Sequence, residues 1–151
     1  MKNFENQFIF FESQIENFNR TNQTISEGSV GWHIAHCTLV MVTVANAVSS
    51  SEASNFKSKF NLKKTIIFLL NTIPRGKGKA PTRVIPTEVT IKENLIENIA
   101  KAKLKLQTLK MLDKHSYFEH PYFGNLNLKD TLKFLQIHNN HHAKIIKDIT
   151  K

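Results

Sequence analysis

Apolar side chains recur at helical spacing along most of the chain, and the alternating pattern typical of strands is scarce. The first such stretch is spaced in steps of three and four and comprises Phe4, Phe8, Phe11, Ile15 and Phe18. Residues at this spacing share one face of an α-helix, which can then pack against a core. A second stretch, from Ser29 to Ser49, carries two apolar stripes, so this helix is expected to be buried on several sides.

Three further helices are predicted downstream. A short one spans about 62–72 and ends before Pro74, because a proline disfavours the helical conformation in the residue before it. A long one starts near Thr90, where "TIKE" has the form of a capping box completed by Glu93. The last one begins near Asn127, a typical N-cap residue, and runs to the end of the chain.

Four long helices, one short helix and no internal repeat predict a single all-α domain over residues 1–151. The predicted architecture is a four-helix bundle, and another compact all-α arrangement is the alternative. Two loops are expected to be ordered parts of it. The first, "PRGKGKAPTRVIP" at 74–86, is rich in basic residues and proline, and the second, "HSYFEHPYFGNLN" at 115–127, precedes the last helix.

Net charge and cysteine content help to predict the cellular location and the partners of the protein. The chain has a formal net charge of +9 and a single cysteine, Cys37, which cannot form an internal disulfide. We expect a cytoplasmic protein, because residues 1–14 lack the apolar core of a signal peptide and the apolar stretch 39–48 is too short to span a membrane. The basic residues are spread along the chain without interleaved aromatic residues, which does not favour a nucleic-acid partner.

The last predicted helix contains "FLQIHNNHHAKII", which has three histidines. At 100° per residue, His142 falls within the apolar stripe and His138 near its edge, whereas His141 points further away. His138 and His142 are one turn apart, so their ring nitrogens can reach one ion from the same side. Each neutral imidazole offers one lone pair to a metal at about 2.0–2.1 Å. A packed core histidine that hydrogen-bonds to a carbonyl is the alternative for either residue.

A third ligand must come from another element. The second helix offers "GWHIAHC", with His33, His36 and Cys37. His36 lies on one apolar stripe and His33 nearer the other, and periodicity does not choose between them. Cys37 is a candidate thiolate ligand, although a cysteine on an apolar face is more often a small core residue. His115 and His120 lie in or near a loop.

Three segments of the chain, "SVGWHIAHC", "HPYFGNL" and "FLQIHNNHHAKII", together resemble the DinB-like superfamily of metal-binding four-helix bundles. The resemblance is to a branch of uncharacterised function, extends over about 29–149, and includes a similar central loop. It implies an up-down-down-up bundle with an extra short helix. It also implies metal ligands at His36, His138 and His142, with His36 selected over His33 by its spacing from the start of the second helix.

The resemblance further implies an activity and a cofactor. Related members use a low-molecular-weight thiol such as bacillithiol, mycothiol or glutathione, which they transfer to an electrophilic substrate or use to isomerise one. Three histidines would leave a position open on a divalent ion, where a bound thiol or water could ionise, so thiol transfer or hydrolysis is expected. Zinc, nickel and iron are the expected metals, since imidazole suits each of them.

Other residues are candidates for further roles in this site. His141 and His120 are candidates for catalytic proton transfer, and surface histidines are the alternative for both. The basic loop could attract an anionic thiol or substrate through Arg75, Lys77, Lys79 and Arg83, and a solvated basic loop without a ligand is the favoured alternative. The expected partner is a small-molecule substrate or thiol, and a homodimer is compatible with the sequence. The alternative function is a non-catalytic metal-binding or ligand-binding bundle, as in a sensing or stress-related protein.

Overall fold

A computed structural model describes residues 2–76, 80–87 and 90–151 of the chain. Its helices within these residues are α1 (Lys2–Ser13), α2 (Val30–Ser49), α3 (Leu62–Leu70), α4 (Lys92–Thr108) and α5 (Leu128–Thr150). A short 3₁₀ helix, Ile15–Asn17, follows α1 almost directly. The protein is mostly helical, and the helices predicted from periodicity are confirmed.

The helix α2 is at the centre of the protein. It packs against α4 and α5, and α1 packs against the same two helices. Most of the circumference of α2 is buried, and its Ile34 and Met41 side chains are fully enclosed, as its two apolar stripes predict. The other helices supply large buried side chains, namely Phe11, Leu95, Ile99, Leu106, Leu135 and Ile146. Removal of this apolar surface from water is the main contribution that stabilises the fold.

The apolar character of α2 also has a bearing on membranes. By length and composition alone, it is the one helix of the described residues that is long and apolar enough to cross a bilayer. However, 72% of the apolar 18-residue stretch of α2 that meets these criteria is buried inside the protein. Packing against α4 and α5 therefore accounts for its apolar surface.

A side-chain N-cap lies at the start of each of the two helices that carry the candidate site, α2 and α5. Ser29 Oγ accepts a hydrogen bond from Trp32 N at 3.1 Å, and Asn127 Oδ1 accepts one from Asp130 N at 2.9 Å. Each cap satisfies one of the N–H groups that a first helical turn leaves without a partner. The predicted N-cap at Asn127 is therefore confirmed.

The capping box predicted at the start of α4 is wrong. The helix begins at Lys92, and no side-chain hydrogen bond caps it at Ile91. Thr90 lies instead against α2, with its Cγ2 only 2.6 Å from the point where a Cβ atom on Gly31 would stand. Thr90 therefore packs against α2 and does not cap α4, although the local pattern predicts that it would.

The second predicted loop contains a β-hairpin. Its strands, β1 (Tyr117–His120) and β2 (Gly124–Asn127), pair antiparallel with Phe118 opposite Leu126. Both of these residues are buried, and the hairpin packs against α2 and α5. The all-α prediction is therefore right for the helices and omits this small sheet. Strands of four residues are too short for an alternating pattern to stand out in the sequence.

The first predicted loop is described in part. Lys77 and Lys79, which were candidates for binding an anion, lie outside the described residues. Further along, a short 3₁₀ helix at Thr82–Val84 buries the side chain of Val84. The Val84 backbone therefore lies against α2, beside the histidines of the candidate site.

Candidate metal centre

Three histidines from two helices converge inside the protein. His36 lies on α2, and His138 and His142 lie one turn apart on α5. One ring nitrogen from each lies within 4.8 Å of the others, and no second group of three His, Cys, Asp or Glu side chains in the described residues is arranged so closely. His36 and His142 are buried, and His138 is partly buried. The convergence predicted for these three residues is confirmed.

The orientation of His36 is set by the backbone of the basic loop. Its Nδ1 lies 2.7 Å from the carbonyl oxygen of Val84, which can only accept, so Nδ1 carries the proton and donates it. The lone pair of His36 is then on Nε2, which lies 3.2 Å from Nε2 of His138. Two nitrogens bound to one ion at about 2.0–2.1 Å in tetrahedral geometry would be about 3.3 Å apart. This spacing therefore fits a shared divalent ion.

The remaining nitrogen of His138 lacks a good partner. His138 Nδ1 and Asn139 Oδ1 are both buried, and neither makes a hydrogen bond of normal geometry within the described part of the chain. Burial lowers the pKa of His138 well below 6.5, as do the neighbouring histidines, while the Asn139 side chain opposes this shift. If Nε2 binds an ion, Nδ1 carries a proton that Asn139 Oδ1 can accept.

His142 has a different neighbour on its second nitrogen. Its Nδ1 lies 2.9 Å from Nδ1 of His33, and Nε2 of His33 lies 3.0 Å from Ser26 Oγ. His33 is therefore not part of the converging group, although it is buried beside it. Since Nδ1 of His142 faces His33, Nε2 is the nitrogen that remains for an ion.

All three imidazoles are held in the neutral form that metals bind. Burial is the largest cause that lowers the pKa of His36 and His142, and the mutual proximity of the histidines adds to it for His142. The hydrogen bond to Val84 opposes the shift at His36. No Asp or Glu is among the buried residues of the described chain. Within the described residues, the candidate donor set is three neutral nitrogens, which fits a divalent ion.

Aromatic rings pack on both sides of the histidines. Trp32 stacks on His36 with ring centroids 5.1 Å apart and planes at 9°. Phe134 packs against His138 at 5.7 Å. These rings cover part of the surface of His36 and His138 and contribute to the burial of the site, and burial strengthens electrostatic interactions.

The two candidates for proton transfer lie close to this group but have other partners. His141 Nδ1 donates a hydrogen bond to the carbonyl oxygen of Ile73 at 2.9 Å. His120 Nδ1 accepts from the backbone N–H groups of Tyr122 and Phe123, so its proton is on Nε2. Burial, with a smaller effect from a nearby arginine, lowers the pKa of His120 to about 4. His120 is therefore a neutral donor at neutral pH, and a catalytic role for either histidine stays a prediction.

The remaining candidates lie outside the converging group of histidines. Arg75 forms an ion pair with Asp148 at 2.7 Å, and its predicted role in binding an anion stays a prediction. Arg83 is exposed and contributes to the lowered pKa of His120. Cys37 is fully buried, and burial raises the pKa of its thiol, so it is a core residue. His115 is exposed and stacks on Phe56.

Two groups beside the site are not indicated by the sequence pattern. The Val84 carbonyl is a backbone group, for which no side-chain signal exists. His33 is visible as a histidine three positions before His36, and this spacing places both on neighbouring parts of one helix face. Only the position of α5 shows that His33 contacts His142 and is not one of the three converging histidines.

A cleft of about 430 Å³ lies between α2, α4 and the C-terminal part of the basic loop with the residues that follow it. It is lined by residues that include Thr38, Arg83, Asn94 and Lys101, and by none of the three converging histidines. The cleft and the metal centre are thus separate features of the described structure.

Comparisons with known proteins do not place the chain in a family. No protein-family model matches it, and neither the curated proteins nor the solved structures contain a significantly similar one.

Proposed function

We propose that the protein is a divalent-metal-dependent enzyme whose ion is held by His36, His138 and His142. The observation that carries this proposal is the convergence of three neutral ring nitrogens from α2 and α5 within 4.8 Å, on two buried histidines and one that is partly buried. Structural zinc sites have four protein ligands, whereas catalytic sites keep a position open beside three. Three imidazoles, with no fourth ligand grouped with them among the described residues, therefore favour catalysis over a purely structural ion.

We further propose that the fold is a DinB-like four-helix bundle of the up-down-down-up type. The packing of α2 with α4 and α5, and of α1 with the same two helices, supports this architecture. The ligand pattern supports it too, since one histidine comes from the second helix and an H-x-x-x-H pair from the last. In this proposal the protein acts in the cytoplasm on a small molecule, without a membrane or nucleic-acid partner.

The proposed activity is transfer of a low-molecular-weight thiol to an electrophile, or hydrolysis. When bound, the divalent ion supplies a Lewis acid that lowers the pKa of a thiol or water at its open position. The Val84 carbonyl orients His36, and Trp32 and Phe134 pack against His36 and His138. No carboxylate is buried in the described chain, which favours an anionic partner such as a thiolate at the open position.

The metal site is tested by elemental analysis of untagged protein purified without chelator. We expect about one zinc, nickel or iron per chain in the wild type, and less than a tenth of that in His138→Ala and His36→Ala. The matched control is His115→Ala, which removes an exposed histidine outside the site. A wild type that binds no divalent metal, even after incubation with zinc, nickel or iron, rules out the proposed function.

Catalysis is tested separately from metal binding. Metal-loaded protein is incubated with panels of thiols and electrophiles, and loss of free thiol is followed with a colorimetric reagent. We expect turnover in the wild type and none in His138→Ala.

The second candidate function is a non-catalytic metal-binding or ligand-binding bundle. The observation that favours it is that the described chain buries no carboxylate that could act as a general base. Stoichiometric metal without turnover against any thiol or ester would favour this candidate.

A further inference from the structure

We infer that His33 positions His142 for metal binding, because it accepts a hydrogen bond from Nδ1 of His142 and so leaves the His142 lone pair on Nε2. This inference rests on the proposed function, because it assigns a role toward the same ion. His33 would not touch the metal or the substrate. It would be a positioning residue that acts through one of the three ligands.

The contact between the two rings allows only two proton arrangements. Nδ1 of His33 and Nδ1 of His142 are 2.9 Å apart, and the ring centroids are 5.1 Å apart. A neutral imidazole has one N–H and one lone pair, so one of these nitrogens donates and the other accepts. If His33 donates, the proton of His142 is on Nε2, where it blocks a metal. If His142 donates, its Nε2 lone pair is free for the ion.

The far side of His33 is compatible with the arrangement that binds a metal. Its Nε2 lies 3.0 Å from Ser26 Oγ, and a hydroxyl oxygen can accept the Nε2 proton. Nδ1 of His33 is then a lone pair directed at His142. The same Ser26 Oγ accepts from the N–H of Gly28 at 3.1 Å, which ties it to the loop before α2.

The loop before α2 closes tightly over the His33 ring. A Cβ atom on Gly28 would lie 2.8 Å from Cε3 of Trp32 and 3.5 Å from Nε2 of His33, so a side chain there would force the loop away. Trp32 packs edge-on against His33 at 5.2 Å. His33 is only 2% exposed. The acceptor is therefore held in place by packing on several sides.

His33 would do for His142 what the Val84 carbonyl does for His36. Each lies beside the Nδ1 atom of its histidine, at 2.9 Å and 2.7 Å respectively, where it can accept the Nδ1 proton. Such partners fix the tautomer and orientation of a ligand, and their loss commonly weakens metal binding about 10- to 100-fold.

The test uses two substitutions of similar shape that differ in hydrogen bonding. His33→Asn places an amide oxygen near the position of Nδ1 and keeps an acceptor, whereas His33→Leu has the same branching and no acceptor. Zinc affinity is measured by competition with a chromophoric chelator. We expect His33→Leu to bind zinc about 10- to 100-fold more weakly than the wild type. We expect His33→Asn to recover at least half of that loss on a logarithmic scale.

Each other outcome would overturn the inference. If His33→Leu binds zinc as tightly as the wild type, His33 has no role in the site. If His33→Asn is as weak as His33→Leu, the role is packing. If the leucine variant does not fold, ¹⁵N–¹H correlation spectra of zinc-loaded wild type decide: a proton on Nδ1 of His142 supports the inference, and zinc on that nitrogen contradicts it. A wild type that binds no metal contradicts the proposed function itself.

Discussion

The Nε2 atoms of His36 and His138 lie 3.2 Å apart, although 102 positions separate the two residues in the chain. At this distance two imidazole nitrogens share either one proton or one ion. Hydrogen bonding to Val84 restrains the first ring, and packing against Phe134 restrains the second. The helices α2 and α5 therefore hold these two nitrogens close to coordination spacing without help from an ion, which would reduce the ordering that metal binding requires.

Zinc should raise the thermal stability of the wild-type protein. A ligand that binds only the folded state at 100 times its Kd stabilises it by about 2.7 kcal/mol. For a domain of this size we expect Tm to rise by about 5–10 °C in differential scanning calorimetry. His138→Ala should show less than a quarter of this rise, and His115→Ala should show all of it. An equal rise in all three proteins would indicate zinc binding elsewhere.

The fluorescence of Trp32 should report occupancy of the site. It is the chain's only tryptophan, and its ring stacks on His36 at 5.1 Å. Nickel(II) bound to His36 would therefore lie within a few ångströms of the indole and quench its emission. We expect saturable quenching at one equivalent in the wild type and none in His142→Ala. Equal quenching in that variant would mean that nickel reaches Trp32 without the three ligands.

The zinc-free protein should lose stability as the pH falls from about 6.5 to about 4. Burial lowers the pKa of His33 and His120 from 6.5 to about 4 in the folded state. Within that range the unfolded chain binds more protons, so acidification favours unfolding. Each such histidine contributes a slope of up to about 1.4 kcal/mol per pH unit. Urea denaturation in chelator at several pH values measures it.

His120→Asn separates one of these contributions. An asparagine oxygen can accept from the N–H groups that His120 Nδ1 now binds, and it does not titrate. We expect the variant to match the wild type near pH 8 and to show a shallower slope below pH 6.5, by up to about 1.4 kcal/mol per pH unit. An unchanged slope would mean that His120 is not held neutral by the fold.

Gly31→Ala should destabilise the protein although alanine is the better helix former. The added Cβ would stand 2.6 Å from Cγ2 of Thr90 and 3.0 Å from the carbonyl oxygen of Phe18. Overpacking of this kind costs about 1–3 kcal/mol in the free energy of unfolding. Thr90→Ser removes the nearer atom, Cγ2. In a Thr90→Ser background, Gly31→Ala should therefore lower the free energy of unfolding by less than it does in the wild type. Simple additivity of the two changes would show that they do not meet.

Asn127→Ala should reduce stability by about 1 kcal/mol, because it removes the acceptor for Asp130 N at the start of α5. Asn127→Ser keeps a side-chain oxygen at the cap and should stay within a few tenths of a kcal/mol of the wild type. Urea midpoints at constant m-value give the comparison. A serine variant as unstable as the alanine variant would assign the effect to the hairpin instead of the cap.

Local sequence signals predict part of this protein well. The apolar spacing gives the helices, and Asn127 gives the start of α5, because both depend on residues within a turn or two of one another. The same local logic fails at Thr90, where packing against Gly31 outweighs a capping pattern. It also misses the hairpin, whose strands are stabilised by contacts with α2 and α5.

By itself, the sequence determined that His138 and His142 share one face of the last helix, because that relationship follows from 3.6 residues per turn. It did not determine which histidine of α2 meets them, since His33 and His36 are both compatible with a buried face. The tertiary structure decided this through the approach of α2 to α5 and the position of the Val84 carbonyl. It also placed His33 behind His142. Contacts between distant segments depend on how side chains pack, and periodicity along one helix does not encode them.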